Sequence, residues 1–458
     1  MPNPVEHLLR ANKIESAKVS ILGAARSGLS AARLLKSQGA KVFVSDNKRR
    51  EDAVEEIKIL ESLGIRYEFD AHSDRVFEAD FVVISPGVPS NSKLVQHALK
   101  VGLNVYSEVE VASWFCRAPI VAITGSNGKT TTTSLLGKIF EKAGRNTIVA
   151  GNIGFPLSDY VLDADEKSVI VLEVSSFQLD HIDTFRPKAA VLLNITPDHL
   201  DRYENYQAYV DSKLRIFANQ TAADFSIYNY DDETVNNHCK DLPTQKYPFS
   251  AKEIISTGAY VDAGKVFLNE GGEQIFLIHS KEIKIRGVHN LYNSIAASLA
   301  ARSIGVPSDV IADTLREFPG VEHRLEPVRE LDGVKYVNDS KATNIDAVWY
   351  ALGSFESPIV LIAGGKDKGN DYSPLFELVR KKVAAMVLIG QAAAKMQKEF
   401  AEVTRCIMAS SMEDAVMKAR EEAKPGYIVL LSPACASFDM FHDYEHRGRE
   451  FKRLVMEL

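Results

Sequence analysis

The feature that most restricts this fold is an apolar strand that runs into a glycine turn and opens a helix. Its sharpest instance is Pro119-Ile-Val-Ala-Ile-Thr124 followed by Gly125-Ser-Asn-Gly-Lys-Thr130. Beyond Lys129, the residues Leu135, Leu136, Ile139 and Phe140 recur at helical spacing, which predicts a helix with one buried face. Strand, turn and helix start form a phosphate cradle. The N–H groups of Gly125, Ser126, Asn127 and Gly128 and the helix dipole favour an anion, and Lys129 adds a full positive charge. Thr130 offers a hydroxyl to magnesium, and Thr131 continues the first turn. The turn departs from the general G-x-x-x-x-G-K-[ST] pattern, because Ile123 stands where the first glycine belongs. The loop is correspondingly short.

Strand and helix alternate along the whole chain, which predicts α/β architecture with mostly parallel sheets. At 458 residues the chain has room for three domains. We expect a Rossmann-like domain over 1–108, a central P-loop ATPase-like domain over 109–320 and a Rossmann-like C-terminal domain over 321–458. The first opens with Lys18-Val-Ser-Ile-Leu-Gly23 and the turn Gly23-Ala-Ala-Arg-Ser-Gly28. Ala25 replaces the middle glycine of a dinucleotide fingerprint, so another nucleotide is expected there. Asp46 ends the second strand, at about the place of a ribose-binding carboxylate, and Gly87 lies in a turn after a later strand.

The net charge of −7 argues against general nucleic-acid binding. No apolar run approaches the roughly 20 residues that span a bilayer. The four cysteines are scattered without a C-x-x-C pair, so reduced thiols in the cytoplasm are expected.

Several polar residues follow predicted strands. Glu173, His199 and Lys213 lie beyond strand ends of the same sheet as the Lys129 loop. Glu173 suits magnesium, and His199 can ligate or carry a proton. Taken singly, each also reads as a turn or loop residue. Asn290 either meets an adenine or caps its helix, and Arg324 either bridges a triphosphate or makes a surface ion pair. Asp339, Lys341 and Thr343 form a dense polar loop, and Lys366 to Lys368 form another. Two basic loops at strand ends suit a small dianionic substrate. Cys435 reads as structural.

The strings Gly125-Ser-Asn-Gly-Lys-Thr130, Glu173-Val-Ser-Ser-Phe-Gln-Leu179, Asp198-His-Leu-Asp-Arg-Tyr203, Lys213-Leu-Arg-Ile-Phe217, Gly287-Val-His-Asn290, His323-Arg324, Asn338-Asp-Ser-Lys-Ala-Thr-Asn344 and Leu431-Ser-Pro-Ala-Cys-Ala-Ser437 occur in that order. Over nearly its whole length the chain resembles the Mur ligases of peptidoglycan synthesis. The strings around Ser176 and Lys341 point to the D-glutamate-adding branch. The resemblance implies ATP-dependent joining of D-glutamate to UDP-N-acetylmuramoyl-L-alanine through an acyl phosphate; a monomer is expected. It implies that Ser27, Asp46, Asn47, Gly87 and Asn152 hold the uridine diphosphate. Gly128, Lys129 and Thr130 would hold the ATP phosphates, with Asn290, Arg324 and Asp339 completing that site. Thr130 and Glu173 would serve one magnesium ion, and His199 with Lys213 a second. Lys213 would be carbamylated, because an ammonium beside a metal ion is repelled. Lys341, Thr343, Lys368, Ser437, Phe438 and Tyr444 would take D-glutamate, and closure of the third domain onto the second is expected. Lys129, His199 and Lys213 are the expected catalytic residues. A P-loop module that only hydrolyses nucleotide would not need the polar loops of the third region.

Overall fold

The computed structural model describes residues 13–197, 202–367 and 369–458. Its strands assemble into three sheets. The first contains β1 (Lys18–Leu22), β2 (Lys41–Ser45), β3 (Arg66–Glu68), β4 (Phe81–Ile84) and β5 (Asn104–Ser107), all parallel, in the order β3-β2-β1-β4-β5. The strand order reverses between β1 and β4, so the turns after these two strands open a crevice at their C-terminal ends.

The second sheet contains β6 (Ile120–Thr124), β7 (Asn146–Gly151), β8 (Ser168–Glu173), β9 (Ala189–Leu192) and β10 (Phe225–Asn229). It continues through β11 (Gln245–Ser250), β12 (Gly258–Asp262), β13 (Lys265–Glu270) and β14 (Glu273–His279). Its order is β14-β13-β12-β11-β10-β9-β6-β8-β7, with antiparallel pairing only among β12, β13 and β14. β6 lies between β8 and β9, with Ile123 beside Glu173 and Thr124 beside Leu192. Val121, Ala122 and Ile123 are fully buried, which explains why this strand reads as a continuous apolar run rather than an alternating one. On the helix Lys129–Lys142, Leu135, Leu136, Ile139 and Phe140 are all buried, as their spacing predicts.

The third sheet contains β15 (Glu326–Leu331), β16 (Val334–Asn338), β17 (Ile359–Gly364), β18 (Val383–Ile389), β19 (Cys406–Met408) and β20 (Ile428–Leu431), in the order β15-β16-β20-β17-β18-β19. Only the β15–β16 pair is antiparallel. β20 sits between β16 and β17, so the loops leaving these three strands share one edge.

The chain divides into two compact units. One runs to Ile283 and takes in Tyr292–Glu317, and the other comprises Lys284–Leu291 and Phe318–Leu458. Two buried carboxylates help explain why the first two sheets share a unit. Glu110 accepts hydrogen bonds from the backbone of Asp183, Thr184 and Phe185, from the Thr184 hydroxyl and from the Trp114 indole. Glu108 accepts from the Ser158 amide and hydroxyl. Such donors offset the cost of burying a charge.

Candidate active site

The turn after β6 is held in shape by the strand beside it. Asn194, just past β9, accepts from the Asn127 amide at 2.8 Å and donates back to the Asn127 carbonyl at 3.0 Å. The Ser126 hydroxyl donates to the Thr196 carbonyl at 2.9 Å and accepts from its amide at 3.0 Å. Gly128 caps the helix at a φ of 87°, where a Cβ would lie 2.2 Å from Asn293 Oδ1, so glycine is required on both counts. The Lys129 ammonium donates to the carbonyls of Gly125 at 2.6 Å and Ser126 at 2.9 Å. It therefore sits within the loop that it is expected to serve. Asn194 was not identified from the sequence. A turn such as Leu193-Asn-Ile-Thr196 gives no local sign of a partner 67 residues away.

Glu173 closes β8 next to this loop and is 2% exposed. Its Oε1 accepts from the Asn152 side chain at 2.9 Å, and its backbone carbonyl accepts from the Asn152 amide at 2.9 Å. Its Oε2 is buried without a hydrogen-bond partner, as are the Thr131 hydroxyl and Asn127 Nδ2. A buried carboxylate oxygen with no donor is costly unless a ligand completes it. A hard oxygen donor beside a phosphate loop fits magnesium. Lys213, in the last turn of the helix Tyr206–Leu214, is also buried. Its ammonium donates to the Gly125 carbonyl at 3.0 Å and lies 4.6 Å from the centre of the Tyr209 ring. Lys129, Lys213 and Glu173 thus all gather at this loop, and Thr130 is the second residue of the helix that follows it. His199 lies outside the described residues.

The crevice of the first sheet is a cavity of about 620 Å³ whose lining includes Ser27, Asp46, Asn47, Gly87 and Asn152. All five residues expected at the uridine diphosphate therefore line one cavity. Its glycine turn is tight: a Cβ on Gly28 would lie 1.9 Å from the Gly23 carbonyl oxygen. The Asp46 carboxylate accepts from the Ala24 amide at 2.6 Å and the Lys48 amide at 2.7 Å, so it braces the turn as well as lining the cavity. Arg26 also lines the cavity and donates to the Gly154 carbonyl at 2.8 Å.

In the other unit, Asp339 is buried just past β16 and accepts from the Ser432 hydroxyl at 2.8 Å and the Leu325 amide at 3.1 Å. Burial pushes its carboxyl up to about 6, opposed chiefly by the Arg324 guanidinium. Arg324 Nε is buried without a partner. Burial and the same guanidinium drive His289 down to about 4, which keeps that ring neutral at pH 7. Asn290 is buried and donates to the Arg286 carbonyl at 2.8 Å. Lys341 lies 5.1 Å from the centre of the Tyr444 ring. Ser437 is buried and Phe438 is 67% exposed. Thr343 follows Lys341 in the same loop, and Lys368 lies outside the described residues.

Arg447, unrecognised in the sequence, is buried and clasps the Lys341 and Ser437 loops together. It donates to the Ser340 hydroxyl at 2.9 Å, to the Ser340 carbonyl at 2.7 Å and to the Cys435 carbonyl at 3.1 Å. Burial raises the Cys435 thiol to about 11, so it is inert and structural.

Comparison with known proteins agrees with this geometry region by region. Residues 18–94 match the MurD N-terminal domain, residues 123–301 the Mur ligase middle domain, and residues 323–435 the Mur ligase glutamate ligase domain. A UDP-N-acetylmuramoylalanine–D-glutamate ligase of Salinibacter ruber is 50% identical over 458 aligned positions, covering 98% of this chain and 99% of the relative. One from Chloroherpeton thalassium is 45% identical, covering 97% and 99%. The fold is also that of the MurF ligase of Thermotoga maritima, solved in complex with ADP, at a TM-score of 0.59 and 17% identity over 91% of this chain and 95% of that one. With near-complete coverage at such identity, the chain belongs to the Mur ligase family, in the group of its D-glutamate ligases.

Proposed function

We propose that this chain joins D-glutamate to UDP-N-acetylmuramoyl-L-alanine, the pair that its relatives' name gives for them, and that it does so at the expense of ATP. The observation that carries the reading is the carboxylate of Glu173. It is held on one oxygen by a residue of the cavity and left without a partner on the other, beside a Gly-Lys-Thr loop. That arrangement suits a nucleotide phosphate and its cation next to a second bound substrate.

In this reading Gly125 to Thr131 cradle the ATP phosphates, with Asn290, Arg324 and Asp339 completing the nucleotide site. The unmet Arg324 Nε supports that assignment. Thr130 and Glu173 hold one magnesium ion, and His199 with Lys213 a second. Magnesium, when bound, neutralises phosphate charge. Lys213 reacts with carbon dioxide, its neutral amine adding to the carbon and releasing a proton, to give an anionic carbamate compatible with a neighbouring cation. Lys129 leaves the loop carbonyls for the γ-phosphate and stabilises its charge during transfer. The substrate carboxylate takes the phosphoryl group, ADP departs, and the amine of D-glutamate displaces phosphate through a tetrahedral intermediate. Ser27, Asp46, Asn47, Gly87 and Asn152 position the uridine diphosphate. Lys341, Thr343, Lys368, Ser437, Phe438 and Tyr444 position D-glutamate, and His199 helps to deprotonate its amine. We set the domain boundaries at residues 108 and 320.

We further propose that the chain acts as a monomer in the cytoplasm. Four unbridged cysteines support that location, and no helix among the described residues is long and apolar enough to cross a membrane. The test is mass spectrometry of the product formed from UDP-N-acetylmuramoyl-L-alanine, ATP and each of L-alanine, D-glutamate, diaminopimelate and L-glutamate. A ligated product with D-glutamate alone is expected, and ATP hydrolysis without ligation would overturn the reading.

A further inference from the structure

The cavity of the first sheet has an uneven charge. Among the described residues that line it, Arg26 carries the one permanent positive charge and Asp46 is the one carboxylate. Asp46 accepts from the Ala24 and Lys48 amides, so its carboxylate is tied to the glycine turn. Arg26 is the first residue of the helix Arg26–Ser37. Ala25 before it makes no side-chain cap, and no acidic residue lies in the first turn. The guanidinium and the uncapped helix start thus add positive potential in the same place.

The guanidinium is also held in position. Nη1 donates to the Gly154 carbonyl at 2.8 Å, and the group lies 5.8 Å from the centre of the Phe155 ring. No other hydrogen bond or ion pair of Arg26 occurs among the described residues, so four of its five N–H donors remain for a ligand. Arg202 is not itself a lining residue: it stacks 4.2 Å from the centre of the Phe177 ring and donates to the carbonyl of Pro86, which does line the cavity, at 3.2 Å. Phe155, with 55% of its surface exposed, meets the Tyr160 ring edge-on at 6.2 Å. It also serves as the platform beneath the arginine.

We propose that Arg26, steadied by the Gly154 carbonyl and the Phe155 ring, is a diphosphate-binding residue that makes this cavity prefer a nucleoside diphosphate over the bare nucleoside. The assignment rests on reading the cavity as the uridine-diphosphate site. A guanidinium fork pairs two phosphate oxygens in a fixed planar geometry, which a lysine ammonium does not offer.

The experiment is calorimetric titration of the full chain with uridine, UMP and UDP, for wild type, Arg26→Ala, Arg26→Lys and Phe155→Leu. Wild type is expected to bind UDP more tightly than uridine. Arg26→Ala should cut that preference by about 10- to 100-fold while uridine affinity changes less than about twofold. Arg26→Lys should fall between the two, and Phe155→Leu should lose a smaller part of the preference. In turnover assays the KM for the UDP-linked substrate should rise in Arg26→Ala, with kcat and the KM for ATP nearly unchanged. An unchanged UDP-to-uridine ratio in a folded Arg26→Ala protein overturns the role of Arg26 and leaves the cavity's assignment standing. Failure of wild type to bind either uridine or UDP overturns the cavity's assignment and the proposal with it.

Discussion

The turns after β1 and β6 use one local device, a parallel strand ending in glycine before a helix, and they finish it differently. After β6 the turn is closed on itself. Asn194 holds its backbone, the Thr196 amide donates to its Ser126 hydroxyl, and the Lys129 and Lys213 ammonium groups both donate to the Gly125 carbonyl. After β1 the turn faces an open cavity, is braced by the Asp46 carboxylate and the Ser85 hydroxyl, and has Arg26 as the one permanent cation among the cavity's described lining residues. A closed, lysine-rich loop suits a guest whose charge must be stabilised while a bond is breaking. An open one suits a guest that need only be held. The difference lies in the residues that reach the turn from elsewhere.

That contrast can be broken at its strongest point. Lys129→Ala should lower turnover by on the order of 10³-fold, because it removes a charge matched to the transferring phosphate. Calorimetry should find UDP affinity unchanged in the same variant. A parallel loss of UDP binding would mean that the two turns are not independent sites. Asn152→Ala probes the residue that the two sites share. It should weaken magnesium-dependent activation by about 10- to 100-fold, the usual effect of removing a partner that orients a metal ligand. It should also raise the KM for the UDP-linked substrate, read from a magnesium titration at several substrate concentrations.

Asn194→Ala tests whether the closed loop is built by its neighbour. Leaving the Asn127 amide and carbonyl unmet should cost about 2 kcal/mol, measured by denaturant unfolding, with a weakened affinity for ATP. The smallest effect concerns Glu108, where the two sheets meet. Burial pushes its carboxyl up to about 7, against the hydrogen bonds from Ser158. The folded chain then keeps a proton that the unfolded chain has released, so stability falls as pH rises from about 4.5 to 7. Glu108→Gln should be neutral or slightly destabilising at pH 5 and stabilising by about 1 kcal/mol at pH 8. Thermal melts at the two pH values check the sign.

What the sequence disclosed follows the range over which the forces act. The helix after Lys129 was legible because its burial is written in local spacing, and β6 because a strand covered on both faces is apolar throughout. Of the five cavity residues, Asp46 and Gly87 were marked by their places at strand ends and Ser27, Asn47 and Asn152 only by motif resemblance, and the structure gathers all five around one space. Asn194, Arg447 and the Arg26–Gly154 contact were not legible. Each is one polar side chain whose partner lies far along the chain, and no periodicity marks such a pair. Asp46 was legible as a strand-end carboxylate, but not as the brace of the Gly23 turn.

Asn152 has a consequence for how this protein can change. Its side chain faces a cavity whose guest it would touch, and the same amide group fixes the carboxylate at the phosphate loop. A substitution that retunes one pocket therefore alters the other. On the proposed reading of the cavity, adaptation to a new sugar nucleotide would have to go around this position. Changes at Arg26 or Phe155, whose contact with each other does not involve Glu173, would alter the cavity alone.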